Sequence, residues 1–90
     1  MLNTAMLVGS LIEFKDDYMK VSVSRSYKNE DGIYEYDEIP CKLELPTDEV
    51  KTYLTIGDLV GIKGRIEMTD NKLLVIVSRL TFLSSSHKGE

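Results

Sequence analysis

The chain has 90 residues, a formal net charge of −4, one Cys, one His and no Trp. That length holds one domain with a small core, and a single Cys excludes an internal disulfide framework or a Cys-rich zinc site. With 42% hydrophobic and 29% charged residues the chain is an ordinary globular one, and its lone imidazole, His87, lies in a polar C-terminal stretch that leaves Ser-His-Asp or Cys-His chemistry without its parts.

Apolar residues recur mainly at every second position, the mark of half-buried strands. Residues 6–12 form a first apolar segment with little alternation, expected to be covered on both faces. Residues 13–17 interrupt it with charge. Met19, Val21 and Val23 then alternate with Lys20, Ser22 and Ser24. Lys28-Asn29-Glu30-Asp31-Gly32 is a strong turn signal, because Asp-Gly tolerates positive φ. A third strand places Ile39, Cys41, Leu43 and Leu45 on one face and Tyr34, Tyr36, Glu38, Lys42 and Glu44 on the other. Pro40 has no amide proton to give and points to an edge or a bulge.

Residues 46–54 read as the one helix: Thr47 as its cap, Asp48 and Glu49 at the positive end of its dipole, and Val50, Tyr53 and Leu54 on its buried face. In the fourth strand Val60, Ile62, Gly64, Ile66 and Met68 alternate with Leu59, Gly61, Lys63, Arg65 and Glu67. A tight turn over 69–72 leads into a final apolar strand that carries Phe82, expected in the core with Tyr53. Gly9, Gly61 and Gly64 mark barrel bends or close packing. Residues 84–90 have tail composition, so the domain is expected to occupy residues 1–83. The fold class is therefore all-β with order β-β-β-α-β-β. This is the layout of a five-stranded OB-fold barrel with a short helix between strands 3 and 4, although another small β-barrel fits the same order.

Several stretches carry a resemblance. Asn3 to Leu7-Val8-Gly9 and Leu11, the hairpin Arg25-Ser26-Tyr27-Lys28-Asn29-Glu30-Asp31-Gly32, Ile39-Pro40-Cys41, the run from Tyr53-Leu54 through Gly57-Asp58 to Gly64-Arg65-Ile66, and the closing Arg79-Leu80-Thr81-Phe82-Leu83 follow one another in the order and spacing of a known family. Together they resemble the bacterial and phage single-stranded DNA-binding proteins, as a short member without the acidic C-terminal tail. The resemblance implies an OB fold, sequence-tolerant binding of single-stranded DNA without catalysis, and assembly into a homodimer or homotetramer through the first strand. Replication proteins are implied as further partners.

Such binding combines cations for phosphates with aromatic platforms for bases. The candidates are Lys20, Lys28, Lys42, Lys63 and Arg65 for the phosphates and Tyr27, Tyr34 and Tyr36 for stacking. Arg25 and Arg79 depend on register. Leu2, Ala5, Met6, Leu7 and Val8 offer more apolar surface than one small barrel covers, and are the expected contact between copies. The chain departs from the family at Glu38 and Glu44, where aromatic rings are usual. These two carboxylates keep a second reading open, a primosomal-type OB module that binds protein and has weak or lost DNA affinity. Asp16, Asp17, Glu35, Asp37 and Glu38 spread over loops and alternating faces instead of converging as a magnesium site requires, so no metal or cofactor is expected. Cys41 has inward parity and reads as a small buried hydrophobe. No apolar run approaches the ~18 residues of a membrane span and the start lacks a signal peptide's basic residues, so the expected location is cytoplasmic.

Overall fold

A computed structural model of the chain describes residues 2–44 and 46–84, with the backbone alone at positions 47 and 49. Its elements are β1 (Ala5–Lys15), β2 (Tyr18–Lys28), β3 (Tyr34–Leu43), α1 (Thr47–Tyr53), β4 (Leu59–Thr69) and β5 (Lys72–Ser84). The strands close into a barrel in the order β1-β2-β3-β5-β4, antiparallel except for β3 with β5. Inside lie Leu11, Met19, Val21, Cys41, Leu43, Val60, Ile62, Val75 and Val77. These are the inward positions that the period-two pattern of the sequence selects. Leu45 and the tail positions from 85 onward, including His87, fall outside the described residues, and Ser84 is the last residue of β5.

Closure depends on two glycines. β1 passes so close to β2 that a Cβ on Gly9 would strike the carbonyl oxygen of Ser22. β4 and β5 change register between Lys63 and Gly64, and a Cβ at Gly64 would run into the carbonyl oxygen of Ile76. Gly61, expected in the same role, has ordinary room, with a Leu83 methyl 3.6 Å away. Turns are short. Asp16 and Asp17 join β1 to β2 with Asp16 at φ 57°, and Asp70 and Asn71 join β4 to β5, both at positive φ. The first connection is thus shorter than the charge run over 13–17 suggests. Glu13, Phe14 and Lys15 are still strand and pair with Lys20, Met19 and Tyr18 beyond a bulge at Leu11/Glu13.

β1 corrects another expectation. Its residues are not covered on both faces: Leu7, Gly9 and Leu11 point inward, whereas Met6 is 76% and Val8 56% exposed. From Ala5 to Gly9 the strand pairs with β4 alone, because pairing with β2 begins at Ser10. Asn3 continues that ladder with its side chain. Its Nδ2 donates to the Ile66 carbonyl, and its Oδ1 accepts from the Ile66 N–H, both at 2.9 Å.

The helix opens at Thr47 with Pro46 as N-cap and no side-chain cap hydrogen bond, so Thr47 does not cap it. Val50 enters the core and Leu54 packs against it. Tyr53 does not: one residue before Leu54 it turns ~100° away and is 48% exposed. Phe82 is likewise 43% exposed, because β5 pairs with β3 only at Val75–Val77 and its far end has β4 as sole neighbour. Ile66 and Met68 leave the core for a related reason: pairing of β4 with β1 stops at Gly64, and beyond it β4 has β5 as its strand neighbour. Pro40 fits its place, since β3 has β2 on one side there and pairing with β5 starts only at Cys41.

Candidate nucleic-acid interface

β2 and β3 build a long hairpin whose outer face is set by strand parity. Cross-strand neighbours along it are Tyr18 with Lys42, Lys20 with Pro40, Ser22 with Glu38, Ser24 with Tyr36 and Lys28 with Tyr34. Tyr34 and Tyr36 are both exposed, and the Lys28 ammonium lies 5.7 Å from the Tyr34 ring centroid, within cation–π reach. Tyr27 is exposed in the irregular stretch between Ser24 and Lys28.

The opposite side of the same hairpin is a polar clamp. Arg25 donates Nε and Nη2 to the two carboxylate oxygens of Asp37 at 3.0 and 2.9 Å, and Nη1 to Glu35 at 2.8 Å. Asn29 holds the turn: its Oδ1 accepts from the N–H groups of Asp31 and Ile33, and its Nδ2 donates to Glu35. Gly32 supplies the positive φ that the Asp-Gly pair announces. Because Glu35 and Asp37 alternate with Tyr34 and Tyr36, fixing the carboxylates on one side presents the rings on the other. Arg25 holds the Asp37 carboxyl below the ordinary carboxylate range, first through its hydrogen bonds, and Asp37 raises the guanidinium in return.

Further round the sheet a second row runs from Lys42 on β3 through Ile76 on β5 to Arg65 on β4. Ile76 faces outward by parity yet is buried, between its cross-strand neighbours Lys42 and Arg65. Arg65 donates Nη1 and Nη2 to Glu44 at 2.9 and 2.7 Å and Nε to Glu67 at 2.8 Å. These hydrogen bonds hold the Glu44 carboxyl below its usual range. Lys20 stands between Glu13 at 3.7 Å and Glu38 at 3.9 Å.

The candidate cations are therefore divided. Lys28 joins Tyr34 and Tyr36 on the hairpin. Lys20, Lys42 and Arg65 cross the sheet face, with Lys20 and Arg65 each held by two carboxylates. Lys63 stands elsewhere, opposite Met6 on one side and Arg79 on the other, in a shallow apolar groove of about 430 Å³ that Val8, Thr81 and Leu83 also line. Sequence reasoning missed the Arg25 clamp and the Glu44–Arg65–Glu67 pairing. Alternation in β3 contained the first. The second needed the register of three strands. Cys41 is fully buried, as its parity indicates, and burial pushes its thiol up to about 12.

Comparison with known proteins agrees with this geometry at the level of fold. No protein-family profile matches the sequence, and no curated protein matches it either. Solved structures do match. The small single-stranded DNA-binding protein of Streptomyces coelicolor is similar at 11% identity over 92% of this chain and 95% of that one, with a TM-score of 0.69. The Plasmodium falciparum SSB in complex with ssDNA is similar at 19% identity over 93% and 97%, with a TM-score of 0.70. The N-terminal domain of PriB from Thermoanaerobacter tencongensis, solved as a dimer, is similar at 18% identity over 92% and 98%, with a TM-score of 0.55. The chain is an OB-fold barrel over nearly its whole length.

Proposed function

We propose that this OB barrel binds single-stranded DNA, as a binding protein without catalysis, along the outer face of β2 and β3. The observation that carries the reading is the row of Tyr34 and Tyr36 with Lys28, held outward by the Arg25–Asp37–Glu35–Asn29 network on the reverse side of the hairpin. Exposed rings on a rigid strand lose little entropy when a base stacks on them, and each stack is worth ~1–3 kcal/mol. Lys42 and Lys20 supply charge beside them, with Tyr27 at the hairpin's irregular stretch. The fold neighbours include a single-stranded DNA-binding protein and an SSB bound to ssDNA, which supports the same reading.

The second reading is protein recognition by a replication-accessory module of the PriB kind, favoured by Glu38 and Glu44 on the same face and by a PriB domain among the fold neighbours. Titration of fluorescently labelled oligo(dT) separates the two. Binding should weaken with salt at a log–log slope of about −0.7 for each phosphate neutralised. Replacing Tyr34 and Tyr36 together by Ala should cost about thirtyfold or more, the loss of two stacks of ~1–3 kcal/mol each. If the folded wild type fails to bind at low salt, the DNA reading falls and the protein-recognition reading stands.

Assembly through β1 belongs to the same proposal. Ala5 to Gly9 offer a backbone edge that β2 leaves unpaired, with Met6 and Val8 exposed on one face and Leu2 beyond the strand. A second copy adding its own β1 there, to form a homodimer or part of a homotetramer, would satisfy the edge and cover Leu2, Ala5, Met6 and Val8, whereas Leu7, counted with them in the sequence, packs against the barrel's own core.

A further inference from the structure

Three cations on the barrel surface are each held by two carboxylates: Arg25 by Asp37 and Glu35, Lys20 by Glu13 and Glu38, and Arg65 by Glu44 and Glu67. By contrast, Lys28, Lys42, Lys63 and Arg79 have no ion pair with another described residue. Arg25 sits on the reverse of the hairpin, where its bonds fix the turn. Arg65 stands on the outer face, in the same cross-strand row as Lys42.

The geometry at Arg65 is specific. Both terminal nitrogens meet both oxygens of Glu44 in two parallel hydrogen bonds, and Nε is taken by Glu67. Two parallel N–H···O bonds from a guanidinium are also the way Arg grips a phosphate. The ions are partly exposed, about two-fifths for Arg65 and Glu44, so the pair adds little to stability and can exchange its anion.

We propose that Glu44, assisted by Glu67, is a built-in stand-in for phosphate, so that a nucleic-acid backbone reaches Arg65 only by displacing a carboxylate of the protein itself. This rests on the DNA-binding reading above and names the residue that limits affinity there. Lys42 and Lys28 are then the resident phosphate contacts of the face, and Arg65 is a withheld one.

The test is oligo(dT) binding at several salt concentrations by four proteins: the wild type, Glu44→Gln, Glu44→Gln with Arg65→Gln, and Asp48→Asn. The last makes the same charge change on α1, at a carboxylate that holds no cation of the sheet face. Glu44→Gln is expected to bind about tenfold tighter, the yield of one further charge-assisted contact, with a salt slope steeper by about 0.7. The double variant, whose net charge equals the wild type's, should return to wild-type affinity, and Asp48→Asn should gain no more than about twofold because Asp48 withholds no cation and its removal changes only the general charge. Glu67→Gln should move affinity the same way by a smaller step. A wild type that binds while Glu44→Gln gains no more than Asp48→Asn overturns this proposal and leaves the function standing, as does a double variant that keeps the gain. Binding by Glu44→Gln with none by the wild type supports the stand-in and removes DNA as the wild-type ligand. Failure of every folded form to bind overturns both.

Discussion

Gly64 has no room for a side chain. The register change that brings β4 against β5 puts the Ile76 carbonyl where its Cβ would be, and that oxygen belongs to a backbone that cannot swing aside. Gly64→Ala should therefore destabilise the barrel by about 1–3 kcal/mol as an overpacking change, read from the midpoint of a urea melt. An unchanged midpoint would mean that β4 and β5 part enough at Gly64 to admit a methyl group. Asp58, inside the motif that resembles the DNA-binding family, is similarly architectural. It is buried, and its Oδ2 accepts the Thr55 N–H in the turn that delivers the chain from α1 to β4. Asn3 extends the β1–β4 ladder, and Gly9 admits β2. The residues behind the resemblance are thus largely those that let a small barrel close, which is why it speaks more directly to fold than to ligand.

The two informative elements are the β2–β3 hairpin and β1. In the hairpin, alternation separates a polar side that sets shape from an aromatic side that is presented. Outward parity for Tyr34 and Tyr36 was legible in the sequence because a period of two is a local property. β1 differs, since a run of apolar residues does not reveal whether its second face is covered by the chain's own barrel or by another copy. Replacing Met6 and Val8 together by Lys should leave the circular dichroism spectrum intact, as both side chains are exposed. The same change should shift the mass in sedimentation equilibrium from oligomer to monomer. A wild type that is already monomeric at tens of micromolar would remove β1 as an assembly edge.

At the scale of the whole molecule, most of the excess acid behind the net charge of −4 sits in three clusters in which two carboxylates outweigh one cation. Arg25 depresses Asp37 and Arg65 depresses Glu44, in each case chiefly by hydrogen bonding. A carboxyl depressed in the folded state contributes stability at pH above its unfolded value, about 4, and that contribution disappears as pH falls through the lower folded value. The melting temperature should therefore decline below pH ~4, and less steeply for the Asp37→Asn, Glu44→Gln double variant. At pH 7 the two proteins should differ little, since exposed pairs contribute little. Parallel acid limbs in thermal melts from pH 7 to pH 2 would show that these pairs do not carry the acid sensitivity.

The sequence by itself determined the order of strands and helix, the inward faces of β2 and β3, the Asp-Gly turn and the outward tyrosines, because each follows from periodicity or turn chemistry among near neighbours. Tertiary structure decided the rest. Tyr53 and Phe82 are exposed because barrel closure leaves them uncovered, although their composition suits a core. Ile66 and Met68 keep strand alternation but lie past Gly64, where β4 has lost β1 as a neighbour. Glu44 and Arg65 lie 21 residues apart and meet only through the intervening β5. A carboxylate that looked like an obstacle to DNA thereby becomes the partner of the cation expected to bind it. Such contacts depend on the register of non-adjacent strands, which the packing of the closed barrel sets and no local pattern encodes.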